Sequence, residues 1–255
     1  MKQSEENRFQ EFFMDDKYII LKNYLYNYLL RKHAVGKTFR NEKHDITLEV
    51  GSGISPVVTA DNHIVYSDLS LLALRQLKQS LGKGMYVVAD GMQLPFRSGS
   101  FSHVISSEVL EHLEDDRKAL NEIARVIKPF GSFIVTFPHR RFYFAKDDRF
   151  VNHFRRYELA EMEERLKNVK LYPIFVQKVL GPLEKMTMCM SISVFSIIQR
   201  FHKSSIKNAG TSNQMVIISF IFKWINRLYA GLVWLDAIIM PRALSTVLLI
   251  KAVKK

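Results

Sequence analysis

Leu48-Glu49-Val50-Gly51-Ser52-Gly53-Ile54-Ser55-Pro56 is an apolar run that passes into two glycines one residue apart. Ile46 to Val50 is rich in β-branched residues, and Glu49 is its only charge. That pattern is expected of a buried strand running into a tight turn. Glycine in such a turn permits positive φ and lets a ligand lie against the backbone. At the carboxyl end of the first strand of an open α/β sheet, this is where a nucleotide-like ligand sits. An ordinary strand-to-loop turn is the plain alternative, and the residues on either side weigh against it.

Downstream, Ile64 to Ser67 makes a second strand ending in Asp68, and Leu69 to Leu81 a helix. Met85 to Ala89 is a third strand ending in Asp90. Phe101 to Ser106 is a fourth, followed by a helix from Asp116 to Ile127. Pro129-Phe130-Gly131 breaks that helix, and Ser132 to Phe137 is the fifth strand. A helix over Arg156 to Leu166 and a sixth strand over Val169 to Leu180 follow, with Pro173 at a bulge or edge. Strands alternating with helices at this pitch imply a parallel sheet covered on both faces. Upstream, Tyr18, Leu21, Leu25, Tyr28 and Leu29 recur at helical spacing, so an amphipathic helix is expected over Asp16 to Lys32. Gly36 to Asp45 is expected as a polar linker.

The 255 residues suit one α/β domain with an extension, and an apolar fraction of 47% is ample for a core. Cys189 is the only cysteine, which excludes an intrachain disulfide framework and a cysteine-based zinc site and suits a reducing compartment. The polar start Met1 to Arg8 lacks a signal-peptide apolar core, so a cytoplasmic chain is expected. The net charge of +12 points to an acidic partner surface. Residues 181–255 hold seven Lys and three Arg against Glu184 and Asp236, so most of the excess lies in the most apolar third of the chain. Basic residues among Ile, Leu, Phe and Trp suit an anionic membrane surface better than a nucleic-acid groove. Met186 to Phe201 is short for a spanning helix. Met215 to Met240 carries Lys223, Asn226, Arg227 and Asp236. On a helix, Ser219, Lys223, Asn226, Arg227 and Ala230 form one stripe and the remainder is apolar. Both segments are therefore expected as interfacial or lid helices. Ser245 to Val253 is a β-rich run that can close the sheet.

With these elements in place the chain resembles the class I S-adenosylmethionine-dependent methyltransferases over about residues 46–180. Glu49-Val50-Gly51-Ser52-Gly53 resembles their glycine-rich first motif, and Asp68 their ribose-binding acid. Val88-Ala89-Asp90-Gly91-Met92-Gln93-Leu94-Pro95-Phe96 resembles their adenine-contacting loop. Ser107-Glu108-Val109-Leu110-Glu111-His112-Leu113 and Arg125 to Gly131 resemble the segments after the fourth strand and before the fifth. The resemblance implies an α/β, Rossmann-like, doubly wound seven-stranded sheet with the last strand antiparallel. Residues 1–45 then form an N-terminal helical extension. Residues 46–181 and 242–255 form the cofactor-binding domain, and 182–241 a helical insert before the last strand. It implies S-adenosyl-L-methionine as cofactor, held by Glu49, Gly51, Ser52, Gly53, Asp68, Leu69, Asp90, Gly91, Met92 and Ser107. Asp68 as a helix cap and Asp90 as a turn residue are the structural alternatives. The family often has a third glycine where Ser55 stands. Pro56 stands where a dinucleotide oxidoreductase needs glycine.

Methyl transfer needs a base only when the acceptor must lose a proton. His112, His139, His153 and Tyr157 are candidates, with His112 first and His139 second. Glu108, Glu111 and His112 form E-x-x-E-H, which resembles a divalent-metal site of ubiquinone-pathway O-methyltransferases. The plainer reading has no metal, with Glu111 capping or pairing locally. No Asn/Asp-Pro-Pro-aromatic stretch follows the fourth strand, where Ser106-Ser107-Glu108-Val109 stands, which disfavours a nucleic-acid acceptor. The expected enzyme acts on a small-molecule, lipid-like or lipid-linked acceptor, as a cytoplasmic protein peripheral on the inner face of a membrane. A soluble metabolite with the insert as a lid, or a non-catalytic binding module of the same fold, are the alternatives.

Overall fold

The structure is a computed structural model that describes residues 23–40, 45–59, 63–201 and 212–255, with the side chains of 192–201 and 212–219 left aside. Seven strands form one sheet: β1 (Thr47–Val50), β2 (Ile64–Asp68), β3 (Met85–Val88), β4 (Phe101–Ser107), β5 (Ile127–Pro138), β6 (Leu171–Leu180) and β7 (Val247–Lys254). Their order is β3-β2-β1-β4-β5-β7-β6. β1 pairs in parallel with both β2 and β4, while β7 runs antiparallel between β5 and β6. The strand order reverses between β1 and β4, so the turns leaving these two strands flank a crevice at the carboxyl edge of the sheet. Buried Leu48, Val50, Val104, Ile105, Phe133 and Val135 make the central strands, which are apolar on both faces as covered parallel strands are.

Local chemistry sets the helix ends. Ser70 caps α2 (Leu71–Leu81) by accepting the Ala73 amide at 3.2 Å, and Gly82 closes it in the left-handed conformation at φ 68°. Asp115 caps α3 (Asp116–Val126) by accepting the Lys118 amide. Beyond α3 the sequence reading needs correction. Pro129-Phe130-Gly131 lies within β5, which begins at Ile127. The extra residues are absorbed by a register shift opposite Phe101/His103, with Phe130 at φ 63°. α4 (Lys146–Phe150) and α5 (Leu159–Asn168) follow, α5 starting three residues later than the periodicity suggested. β6 is the edge strand, and its register shifts at Pro173/Phe175, as a proline there requires.

The N-terminal helix is also displaced. α1 spans Tyr26–Phe39, and the part of the expected helix before residue 23 lies outside the described residues. Gly36 is inside α1 rather than in a linker. Ala34, Val35 and Phe39 continue the buried face past it, and the Phe39 ring meets His103 edge-on at 5.5 Å. Between β6 and β7 run α6 (Pro182–Phe201) and α7 (Ser212–Ile239). α7 packs with Asn226, Ala230, Val233 and Ala237 inward. Asn226 Oδ1 accepts the Tyr26 amide, and Lys223 Nζ lies 4.2 Å from the Tyr24 ring centroid. Much of the polar stripe read from the sequence is thus the inward side, although Arg227 stays exposed. The outward side is apolar. No helix of the described residues is long and apolar enough to cross a membrane.

Candidate active site

Gly51 and Gly53 leave β1 in left-handed backbone, at φ 70° and 54°. A Cβ on Gly51 would stand 2.4 Å from Val109 Cγ2, so both conformation and space demand glycine there. The Gly51 and Ser52 amides donate to the Ser67 carbonyl at 2.8 and 3.0 Å. Asp68 then braces the turn. Its Oδ2 accepts the Gly53 amide and its Oδ1 the Ser70 amide, each at 2.8 Å. An ionised carboxylate offers two acceptor oxygens, the chemistry that a ligand with two neighbouring hydroxyls calls for. Ser52 is buried and its hydroxyl makes no hydrogen bond among the described residues, as is true of Ser55 Oγ nearby. A buried polar atom in this position calls for a partner from a ligand or water. Leu69, next to the brace, exposes 55% of its surface.

The second loop lies alongside, because the Ala89 amide donates to the Asp68 carbonyl at 3.0 Å. Asp90 Oδ1 accepts the Met92 amide at 2.8 Å, and the Asp90 carbonyl accepts the Gln93 amide. Asp90, Gly91 and Met92 therefore form one closed turn, with Met92 packed against the core. An apolar surface flanked by the Asp68 and Asp90 carboxylates fits an adenosyl group.

Glu49 is placed differently from its neighbours in the motif. Its carboxylate is buried and accepts the Val57 and Val58 amides at 2.8 and 3.3 Å. Tyr28 of α1 donates to the Pro56 carbonyl and Tyr66 to the Val58 carbonyl, so three side chains hold loop 56–58 behind the glycine turn. Burial pushes Glu49 up from 4.5 to about 8, against the pull of the two amides and Lys32. Burial likewise pushes Glu184 up to about 7. Between pH 4.5 and 8 the folded chain therefore holds a proton on Glu49 that the unfolded chain has lost, so stability falls as pH rises through this window and levels above it. Glu49→Gln is expected to make the decline between about pH 7 and 8 shallower, where Glu184 has already ionised and Glu111 also contributes. Denaturant midpoints measured against pH check this, and an unchanged slope contradicts it.

Across the crevice, Ser107 Oγ is 2.8 Å from Thr136 Oγ1, and Glu108 turns the chain at φ 55°, a conformation costly for a non-glycine residue. The E-x-x-E-H residues do not converge. Glu108 Oε2 faces Arg31 Nη1 of α1 at 3.7 Å, while Glu111, His112 and His153 bring one donor atom each within 4.8 Å of one another. Glu111 is fully buried, and burial, aided by Glu108, holds its carboxyl well above the usual range. His112 stands edge-on to His153 with ring centroids 4.7 Å apart.

The sequence reading listed His153 without choosing it, and the structure gives it the more organised setting. Asp148 Oδ1 lies 3.0 Å from His153 Nδ1, which leaves Nε2 facing Glu111 Oε1 at 3.8 Å. Burial alone would raise the Asp148 carboxyl, but His153, Arg156 and Lys185 together hold it below its ordinary value. The other candidates lie elsewhere. His139 is buried with its Nδ1 2.9 Å from the Ser245 carbonyl, and burial lowers its pKa. A carbonyl can only accept, so that nitrogen carries the proton. Tyr157 donates to Asp116 Oδ2 at 2.7 Å, which turns its hydroxyl toward α3.

Residues 48–135 match the family described as Methyltransferase domain. An uncharacterised protein of Methanocaldococcus jannaschii is 37% identical over 101 residues, 39% of this chain and 43% of that protein. A demethylmenaquinone methyltransferase of Streptomyces griseus is 32% identical over 91 residues, 36% of this chain and 40% of that protein. The chain thus spans less than half the length of these curated relatives. Among solved structures, an S-adenosylmethionine-dependent methyltransferase of Thermotoga maritima, described as a possible histamine N-methyltransferase, superposes over 100% of both chains with a TM-score of 0.58 at 14% identity. That likeness speaks for the fold.

Proposed function

We infer that this chain, which carries a class I S-adenosylmethionine-dependent methyltransferase domain, transfers a methyl group from that cofactor to a small-molecule acceptor. The Asp68 brace carries the reading, because it fixes the glycine turn and sets a carboxylate at the end of β2, where it would accept the ribose hydroxyls. Gly51, Ser52 and Gly53 leave the backbone open to the methionyl part, and Ser107 borders it from β4. Leu69, the Asp90 carboxylate and the Gly91–Met92 turn receive the adenine. Glu49 acts from behind, through loop 56–58. When bound, S-adenosylmethionine supplies an electrophilic methyl on a sulfonium, and the protein's task is to align the acceptor and exclude water. Where the acceptor is a hydroxyl, the group oriented to take its proton is His153, held by Asp148, with His112 beside it.

The finer reading is a lipid-like acceptor taken from the inner, anionic face of a membrane, with 182–241 as the surface element. Its support is the orientation of α7, whose polar stripe largely faces the protein while Phe220, Trp224, Leu228, Leu232, Leu235 and Ile239 are exposed. A contiguous apolar face of this kind marks an interaction surface. Incubation with methyl-labelled S-adenosylmethionine and either a lipid extract or an aqueous metabolite extract tests it. Label in the organic phase is expected. Label confined to water-soluble product would make the insert a lid, and no transfer in either would leave a binding module.

A further inference from the structure

Residues 140–155, between β5 and α5, sort their side chains by charge. The two acids of this segment point inward: Asp147 and Asp148 are buried, Lys185 and Arg156 neutralise them, and His153 Nδ1 lies 3.0 Å from Asp148 Oδ1. The cations Lys146 and Arg149 are exposed and have no carboxylate partner among the described residues, while Arg141, also exposed, pairs with Glu161. Between them stand Phe142, 62% exposed, and Phe150, 55% exposed. Large aromatic rings beside unpaired cations on a surface suit the boundary between acyl chains and anionic headgroups.

The segment also adjoins the insert. Tyr143 Oη donates to the Leu244 carbonyl at 3.1 Å, and Leu244 and Arg242, both exposed, directly follow the end of α7. Lys178 Nζ fixes that end by donating to the Ile238 and Met240 carbonyls. The chain that leaves α7 is thus tied, at Leu244, to the aromatic and cationic segment. A second copy of the chain is a poor occupant, because each carries a net charge of +12 and would repel the other.

We propose that residues 140–155 are a second docking surface for an anionic bilayer, in which Lys146 and Arg149 bind lipid phosphates while Phe142 and Phe150 enter the acyl boundary. The surface rests on the lipid-facing reading of α7 and extends it to the rim of the acceptor site, since His153 and Asp148 belong to the same segment. A lipid held there would present its head beside them.

Pelleting of the full chain with vesicles of phosphatidylcholine and phosphatidylglycerol in equal parts tests the proposal. Lys146→Glu/Arg149→Glu and Phe142→Ala/Phe150→Ala are each expected to lower vesicle affinity at least about tenfold, since a surface cation near an anionic leaflet contributes on the order of 1 kcal/mol. Lys78→Glu/Lys83→Glu, at the opposite edge of the sheet, makes the same change in net charge and is expected to bind like wild type. Binding of S-adenosylhomocysteine without vesicles, unchanged in all variants, shows that they fold. Equal loss in both charge-reversal variants, or no loss in either variant of residues 140–155, overturns the proposal and leaves the α7 reading standing. Failure of the wild-type chain to pellet overturns both membrane readings. Methyl transfer to a soluble acceptor would still be read separately in the labelling assay.

Discussion

Asp68→Ala is expected to weaken S-adenosylhomocysteine binding by at least about a hundred-fold. The carboxylate would accept both ribose hydroxyls, and a hydrogen bond to a charged group contributes about 1.5–3 kcal/mol. Two such bonds lost correspond to a hundred-fold or more at about 1.4 kcal/mol per factor of ten. The same substitution releases the Gly53 and Ser70 amides, so the glycine turn loses its brace. Asp68→Asn separates the two effects. It keeps an acceptor oxygen and the side-chain volume, and its affinity is expected to fall between wild type and Ala. Calorimetric titration of both variants, with circular dichroism to confirm the fold, checks this. Wild-type affinity in the Ala variant would remove Asp68 from the site.

Lys185→Met should destabilise the chain by about 3–5 kcal/mol, the cost of leaving a buried charge without its partner. Lys185 Nζ donates to both oxygens of Asp147 at 2.7 and 2.6 Å and to Asp148 Oδ2 at 2.6 Å. Asp148 keeps Arg156 and His153, but Asp147 is left buried without a cation. Lys185 also helps to fasten α6 to α4, so its loss is expected to loosen α6. Urea unfolding measures the effect. Addition of Asp147→Asn to the variant should recover part of it, since the uncompensated charge is then gone. A loss below about 1 kcal/mol would mean that the pair behaves like an exposed one.

Features that depend on neighbours in sequence were legible before the structure. The glycine turn, Asp68 and Asp90 are each defined by a strand end and the few residues after it, and all three lie where the pattern put them. The reading of Asp68 as a helix cap did not hold, because Ser70 caps α2 while Asp68 accepts the Gly53 and Ser70 amides. Long-range placement was not legible. Nothing near Tyr28 says that its hydroxyl will reach Pro56, and Glu49 looks like a ligand-binding acid until loop 56–58 folds over it. Asp148, His153, Arg156 and Lys185 come from three parts of the chain that only the packing of α4 against α6 joins. Periodicity also misled where a residue type outweighed it: Gly36 suggested a linker, yet the apolar face of α1 runs through it to Phe39. In α7 the stripe was found correctly, but its direction follows from α1 and the sheet, which offer Asn226 and Ala230 a place inside.

Calorimetric titration of the purified chain with S-adenosylhomocysteine tests the central claim most directly. One site per chain, lost on Asp68→Ala, is the result expected if the glycine turn and its brace hold an adenosyl cofactor. No heat of binding at any protein concentration would contradict the assignment and leave a methyltransferase fold without its cofactor.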